Sequence, residues 1–198
     1  MDPAADTDLQ LVQRWAQGDA DAGGRFAQRH FSTLWTYFRN KVPGEPDDLI
    51  QATLLQCQRH GNHLAAAHNV RAYLLSIARS QLRDYYRRHH PSQDLELVSM
   101  RDLGSTVGTR LDRQRQANAI ARALQGLSLA YQEVVELHYW SELSVAEIAE
   151  VVQVPVGTVK SRLIRARAAL KALLQESEVA DLDASLRTAR ESLASPVT

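Results

Sequence analysis

The chain has 198 residues, with 23 acidic and 23 basic side chains, so its formal net charge is zero. That balance excludes a surface that is uniformly a glove for polyanions, though not local patches of one sign. A single cysteine, Cys57, excludes an intramolecular disulfide, and no apolar run approaches the length of a bilayer span, so no membrane insertion is expected. The opening residues "MDPAADTDLQ" are acidic rather than signal-like, and together these features point to the cytoplasm.

Helical spacing dominates the sequence, and strand signals are nearly absent. "TDLQ" at residues 7–10 fits a capping box, with Thr7 as the N-cap and Gln10 reaching back. Leu9, Val12 and Ala16 then mark a short helix that ends near Gly18. Phe31, Leu34, Trp35, Phe38 and Val42 mark a second, stopped by Pro43 and Gly44. Ile50, Thr53, Leu54 and Cys57 mark a third, with Cys57 read as a small core residue. Leu74, Ile77, Ala78, Leu82 and Tyr85 mark another, separated from the third by the loop-like "RHGNHLAAAHN" at 59–69. None of these helices can bury its stripe alone, so residues 6–90 are expected to form one helical domain.

Residues 91–113 lose the period and gain Pro, Ser, Gly and Thr, which reads as a flexible linker. Helical spacing resumes at Ile120, Ala123, Leu124 and Leu127, and again at Val134, Val135 and His138, opening a second domain over 114–174. Within it, Ser144 and Glu147 form another capping box. Ile148, Ala149 and Val152 face the core, "QVP" breaks the chain, and Pro155 suits the first turn of a further helix. Val159, Leu163, Ala166 and Leu170 are that helix's buried stripe. A capped helix, a three-residue turn and a second helix make a helix-turn-helix.

The second helix concentrates positive charge. "VPVGTVKSRLIRARAALKAL" carries Lys160, Arg162, Arg165, Arg167 and Lys171 and no acid. Short polar groups stand at its start and arginines further along, the order a major groove requires: base edges are read near the N-terminus and phosphates are neutralised along the helix. Ser144, Thr158, Lys160, Ser161, Arg162, Arg165 and Arg167 are the candidate contacts. Residues 175–198 form a tail in which Val179, Leu182, Leu186, Ala189 and Leu193 step at helical intervals behind the acids Glu178, Asp181 and Asp183. Its stripe needs a partner, in the second domain, the first domain or another protein; either its acids draw it back toward the basic helix, partly screening it, or it is a frayed terminal helix with no role.

The segment "ALQGLSLAYQEVVELHYWSELSVAEIAEVVQVPVGTVKSRLIRARAAL" resembles region 4 of extracytoplasmic-function (ECF) sigma factors in the sigma-70 family. "DDLIQATLLQ" at 47–56 resembles the family's polymerase-binding motif in region 2, and "NVRAYLLSIARSQLRDYYRRHH" at 69–90 its promoter-melting helix. The resemblance spans about residues 8–174. It implies an all-α protein of two small domains that binds core RNA polymerase, through the beta-prime clamp coiled coil and the beta flap, and promoter DNA. It implies no cofactor, no metal and no catalytic activity, and the family commonly pairs with an anti-sigma factor.

Carried over residue by residue, the resemblance assigns Asp47, Asp48, Gln51 and Leu55 to the polymerase. It assigns His60, Asn62, His63, Asn69, Arg71, Tyr73, Arg79, Ser80, Arg83, Arg87 and Arg88 to the −10 element. Polar loop groups suit an unstacked base, and mixed cations and aromatics suit single-stranded DNA. The chain departs from the family pattern at Ala52, Tyr73, Ser80 and Gln153. A stand-alone helix-turn-helix regulator is the alternative, and it gives "DDLIQATLLQ" no role. A zinc hydrolase built on His60, His63 and His68 lacks thiolate or carboxylate partners at useful spacing.

Overall fold

A computed structural model describes residues 6–94, 99, 101–102, 115–174 and 181–193. Among these residues the fold is all-α, with one isolated antiparallel bridge between Ser99 and Ser128.

Helix α1 (Asp8–Ala16) starts at the expected capping box, in which Thr7 and Gln10 satisfy each other's backbone N–H groups. It stops at Gly18, whose φ of 95° suits a residue without a Cβ. Helix α2 (Ala20–Arg39) begins well before its apolar period is visible, capped by Asp19. Gly23 and Gly24 interrupt the pattern there, and Gly23 is needed because a Cβ would run into the Trp15 indole. Asp8 ties the two helices together through Arg29 (2.8 Å) and the buried His30 (2.9 Å).

Helix α3 (Asp47–Arg59) is followed at once by α4 (Gly61–Ala66), within the segment whose polar composition reads as loop. Packing accounts for this helix. Gly61 lets the backbone close on the end of α1, where a Cβ would stand 2.8 Å from that of Ala16, and Leu64 is completely buried. Helix α5 (Val70–His89) is capped by Asn69 and closes the N-terminal domain. Its buried tyrosine is Tyr86 rather than the expected Tyr85, which is only half-buried and stacks on His89 at 4.2 Å. From Leu82 the core face continues by a step of four, and the Tyr86 hydroxyl donates to the Lys41 carbonyl.

Of the linker, most lies outside the described residues. Where it is described it is anchored: the Arg101 N–H donates to the Gln125 carbonyl at 2.9 Å and its guanidinium to the Arg122 carbonyl at 3.0 Å.

The C-terminal domain comprises α6 (Arg115–Gln125), α7 (Leu129–Tyr139), α8 (Val145–Val152) and α9 (Val156–Leu173). The Ser144/Glu147 capping box opens α8. Pro155 takes the N-cap of α9, one position before the first helical residue. The turn depends on Gln153, held at φ 55°, ψ 48°. A side chain in that left-handed conformation is strained. Gln153→Gly is therefore expected to stabilise the fold by about 0.5–1 kcal/mol, read as a higher denaturant midpoint at unchanged slope.

Helix α10 (Leu182–Leu193) belongs to the tail and packs on α6 and α7. Leu182, Leu186 and Ala189 join Ile120, Leu124, Val135, Trp140, Ala166 and Leu170 in one apolar cluster. The Trp140 indole N–H donates to the Leu186 carbonyl at 2.8 Å. Leu186 is completely buried, so Leu186→Ala is expected to cost about 2–5 kcal/mol in equilibrium unfolding of the whole chain. An unchanged midpoint would mean that the tail contributes nothing to the domain.

Candidate nucleic-acid interface

Helix α9 presents two different faces. Val159, Ala166 and Leu170 are buried, while Lys160 and Arg165 are exposed and Thr158, Ser161 and Arg162 half-buried. Thr158, Ser161, Arg162 and Arg165 are spaced by three and four residues and share one face of α9, while Lys160 stands on another side of the helix. The Ser161 hydroxyl donates to the Thr158 carbonyl at 2.9 Å, which leaves its oxygen able to accept. Ser144 is engaged in its cap, donating to Glu147 Oε2 at 2.7 Å.

Sequence reasoning missed Ile164, which is 70% exposed beside Arg165, and Val156 at the helix start, 42% exposed. The signal was present: both are apolar residues off the buried stripe. In a major groove such groups can meet thymine methyls.

Arg167 stands apart. Its guanidinium bonds the Asp183 carboxylate and the Tyr139 hydroxyl, so in this structure it clasps the tail instead of joining the exposed face. Burial raises the Asp183 carboxyl, but its bonds to Arg167 and Tyr139 outweigh that and hold it net below the usual range. The described part of the tail packs on the C-terminal domain beside α6 and α7 and leaves Lys160 and Arg165 exposed, so it does not screen them. Its residues Glu176, Glu178 and Val179 lie outside the described residues.

In the N-terminal domain, Asp47, Asp48, Gln51 and Leu55 are all exposed on α3. Asp48, Gln51 and Leu55 are spaced by three and four residues, which puts them on one face. Leu55 is 49% exposed, an apolar group at the centre of a polar surface. Cys57 on the opposite side is completely buried, and burial pushes its thiol up to about 12, so it is unreactive packing.

The −10 candidates divide. His63, Ser80, Arg87 and Arg88 are exposed, with Arg87 paired to Asp84 at 2.6 Å. His60 is half-buried and bonds the Gln56 side chain at 2.8 Å. The Asn62 side chain lies outside the described residues. Arg83 and Tyr73 are half-buried, the latter against the core. Asn69 caps α5 and donates to Glu147 of the other domain at 2.5 Å. Arg71 is half-buried in a small cleft with Arg190 and Trp140, and burial lowers its affinity for a proton. Arg79 is buried, with its Nε 3.1 Å from Glu133 of α7. The His60 and His63 rings lie 6.0 Å apart, and among the described residues no three ligands converge on a metal position.

Two family models match the chain: sigma-70 region 2 over residues 25–91 and sigma-70 region 4 over residues 117–170. The ECF RNA polymerase sigma factor SigL of Mycobacterium tuberculosis is 31% identical over 155 residues, covering 74% of this chain and 85% of the relative. Among solved structures, CnrH in complex with the cytosolic domain of CnrY is 25% identical, with a TM-score of 0.62 over 85% of this chain and 97% of that one. The sigma factor RpoE in complex with the anti-sigma factor NepR from Bartonella quintana is also 25% identical, with a TM-score of 0.52 over 75% of this chain and 96% of that one.

Proposed function

The chain belongs to the ECF branch of the sigma-70 family, and from that premise we propose how its residues divide the work of promoter-directed initiation. Residues 6–90 act as region 2, 91–113 as the linker that sets the spacing of two DNA contacts, 114–174 as region 4, and 175–198 as an added tail. Asp47, Asp48, Gln51 and Leu55 dock on the clamp coiled coil of core RNA polymerase. Thr158, Lys160, Ser161, Arg162 and Arg165 read the −35 element in the major groove, with Ser144 at the capped start of α8 beside the backbone. The exposed and half-buried groups of α4 and α5 hold the unpaired −10 strand.

The protein has no catalytic activity of its own. Strand opening draws on binding, because a surface that holds unpaired bases better than paired ones shifts the equilibrium toward melting. It works in the cytoplasm, where its polymerase and promoter are. An anti-sigma factor is its proposed regulatory partner, a reading supported by RpoE, solved in complex with the anti-sigma factor NepR, and by CnrH, solved in complex with the cytosolic domain of CnrY.

One observation carries this reading: a helix with an exposed acidic and apolar face, a cationic and aromatic helix and a basic helix-turn-helix occur in that order on one chain. Transcription in vitro with purified core enzyme tests it. Promoter-dependent transcripts that require both core and this protein are the expected result. Operator binding that needs no polymerase, with no transcripts, would favour the stand-alone regulator instead.

A further inference from the structure

The two DNA-reading domains meet face to face, and the seam between them sets opposite charges beside an apolar contact, in which Leu137, Ile148 and Val152 join the core cluster of the N-terminal domain. In the buried bonds that cross it, the carboxylates come from the C-terminal domain and the donors from the N-terminal one. The Lys41 ammonium is 0% exposed and bonds Glu136, with a further bond to the Tyr37 carbonyl at 2.6 Å. Glu133 accepts from the Tyr37 hydroxyl at 2.8 Å and from Arg79 at 3.1 Å. Glu147 accepts from Asn69. Beside these contacts, the helix-turn-helix corner Val151–Val154 lies across Ser76, Arg79, Ser80 and Arg83 of α5. The covered part of that face therefore carries Asn69 and Arg79, while Ser80 stays exposed at the rim of the cleft.

We propose that α7 and α8 are an internal competitor for DNA: Glu133, Glu136 and Glu147 occupy the donors of the N-terminal domain in place of phosphate and polar base groups, and hold the free protein closed. The proposal rests on the sigma-factor reading and adds its regulation. Closed, the part of the −10 face around Asn69 and Arg79 is occupied, and the two domains are too near each other to reach separate promoter elements.

The physics makes this a switch rather than a permanent weld. Burying Lys41, Arg79, Glu133 and Glu136 strips each of water, and their mutual attraction largely offsets that cost without greatly exceeding it. Burial pushes the Glu136 carboxyl upward even though Lys41 opposes the shift. The charged bonds therefore add little net stability, the shared apolar contact supplies most of the hold, and differential binding of DNA and core enzyme to the open form is what opposes it. A nucleic acid competes well, because it supplies phosphates and releases counterions when it binds. The polymerase face of α3 lies outside the seam, with Asp48, Gln51 and Leu55 exposed, so core enzyme can engage the closed form and help to open it.

The test uses the full chain without polymerase. Glu133→Gln with Glu136→Gln keeps shape and removes both charges that face Lys41 and Arg79. Small-angle scattering should give wild type a radius of gyration of about 16 Å, the value for a compact chain of this length, and the variant one several ångström larger. Anisotropy with a 12-nucleotide single-stranded DNA at fixed, stated salt should show about tenfold tighter binding by the variant. A charge swap guards against misfolding: Arg79→Glu should open the chain, and Arg79→Glu with Glu133→Arg should close it again, with helicity unchanged by circular dichroism.

An extended wild type, or an open variant that binds DNA no better, overturns the proposal, as does a swap that fails to restore compactness. Failure of the functional reading is separable. It appears as absent transcripts with core enzyme, whatever the scattering shows.

Discussion

Arg162→Ala combined with Arg165→Ala removes selective −35 binding and leaves the domain folded. Neither residue belongs to the buried stripe of α9, which is Val159, Ala166 and Leu170, so the core is untouched. Each arginine that forks onto a guanine edge contributes about 1–3 kcal/mol of discrimination, and the pair together is worth a loss on the order of a hundredfold or more. Titration of matched and scrambled duplexes over a range of salt separates base reading from charge. If Arg165 reads a base, Arg165→Ala alone relaxes specificity at one position. If it meets phosphate, affinity falls evenly across sequences and the salt slope drops by about 1. Binding of the matched duplex unchanged in the double variant would remove α9 from the −35 contact.

Much of this molecule was legible because local signals and packing agree. Both capping boxes formed where Thr7 and Ser144 stand, since an N-cap hydroxyl and a carboxylate or amide three residues on satisfy each other without help from the rest of the fold. The helix-turn-helix was legible for the same reason: Pro155 and the apolar stripes on either side leave few other arrangements. What escaped reading depends on distant partners. Helix α4 exists because Gly61 allows α1 to approach, and the early start of α2 because Trp15 covers Gly23; both glycines look like interruptions in the sequence. The exchange of Tyr85 for Tyr86 turns on one residue of phase in α5. The site was legible as a set of residue types, but not in who pairs with whom. Arg79 and Arg167 read as DNA contacts from their charge, and in this structure each is met by a carboxylate far along the chain, Glu133 and Asp183. No period or spacing encodes such pairs, because they appear only when domains or tail come together.

Asp48→Arg is expected to abolish promoter-dependent transcription while leaving the protein folded and able to bind −35 DNA. Asp48 lies in the first turn of α3, fully outside the core, and its neighbours Ile50 and Leu49 do the packing. The helix has no side-chain cap at Pro46, so the carboxylates of Asp47 and Asp48 are what complement its positive end. Reversing one of them costs about 0.3–1 kcal/mol of helix stability, too little to unfold a domain. At an interface the same change sets like charge against a surface chosen for an acid, and such a reversal costs several kcal/mol. Asp48→Asn distinguishes the two roles, because it removes the charge without adding repulsion and should weaken core binding only partly. Leu55→Ala probes the apolar part of the face: Leu55 is already half exposed, so its loss should weaken retention with little change in thermal stability. The measurement is a pull-down of core enzyme on immobilised protein, run beside −35 duplex binding as the control for folding. Normal retention by Asp48→Arg would move the polymerase contact off α3 and with it the assignment of Asp47, Gln51 and Leu55.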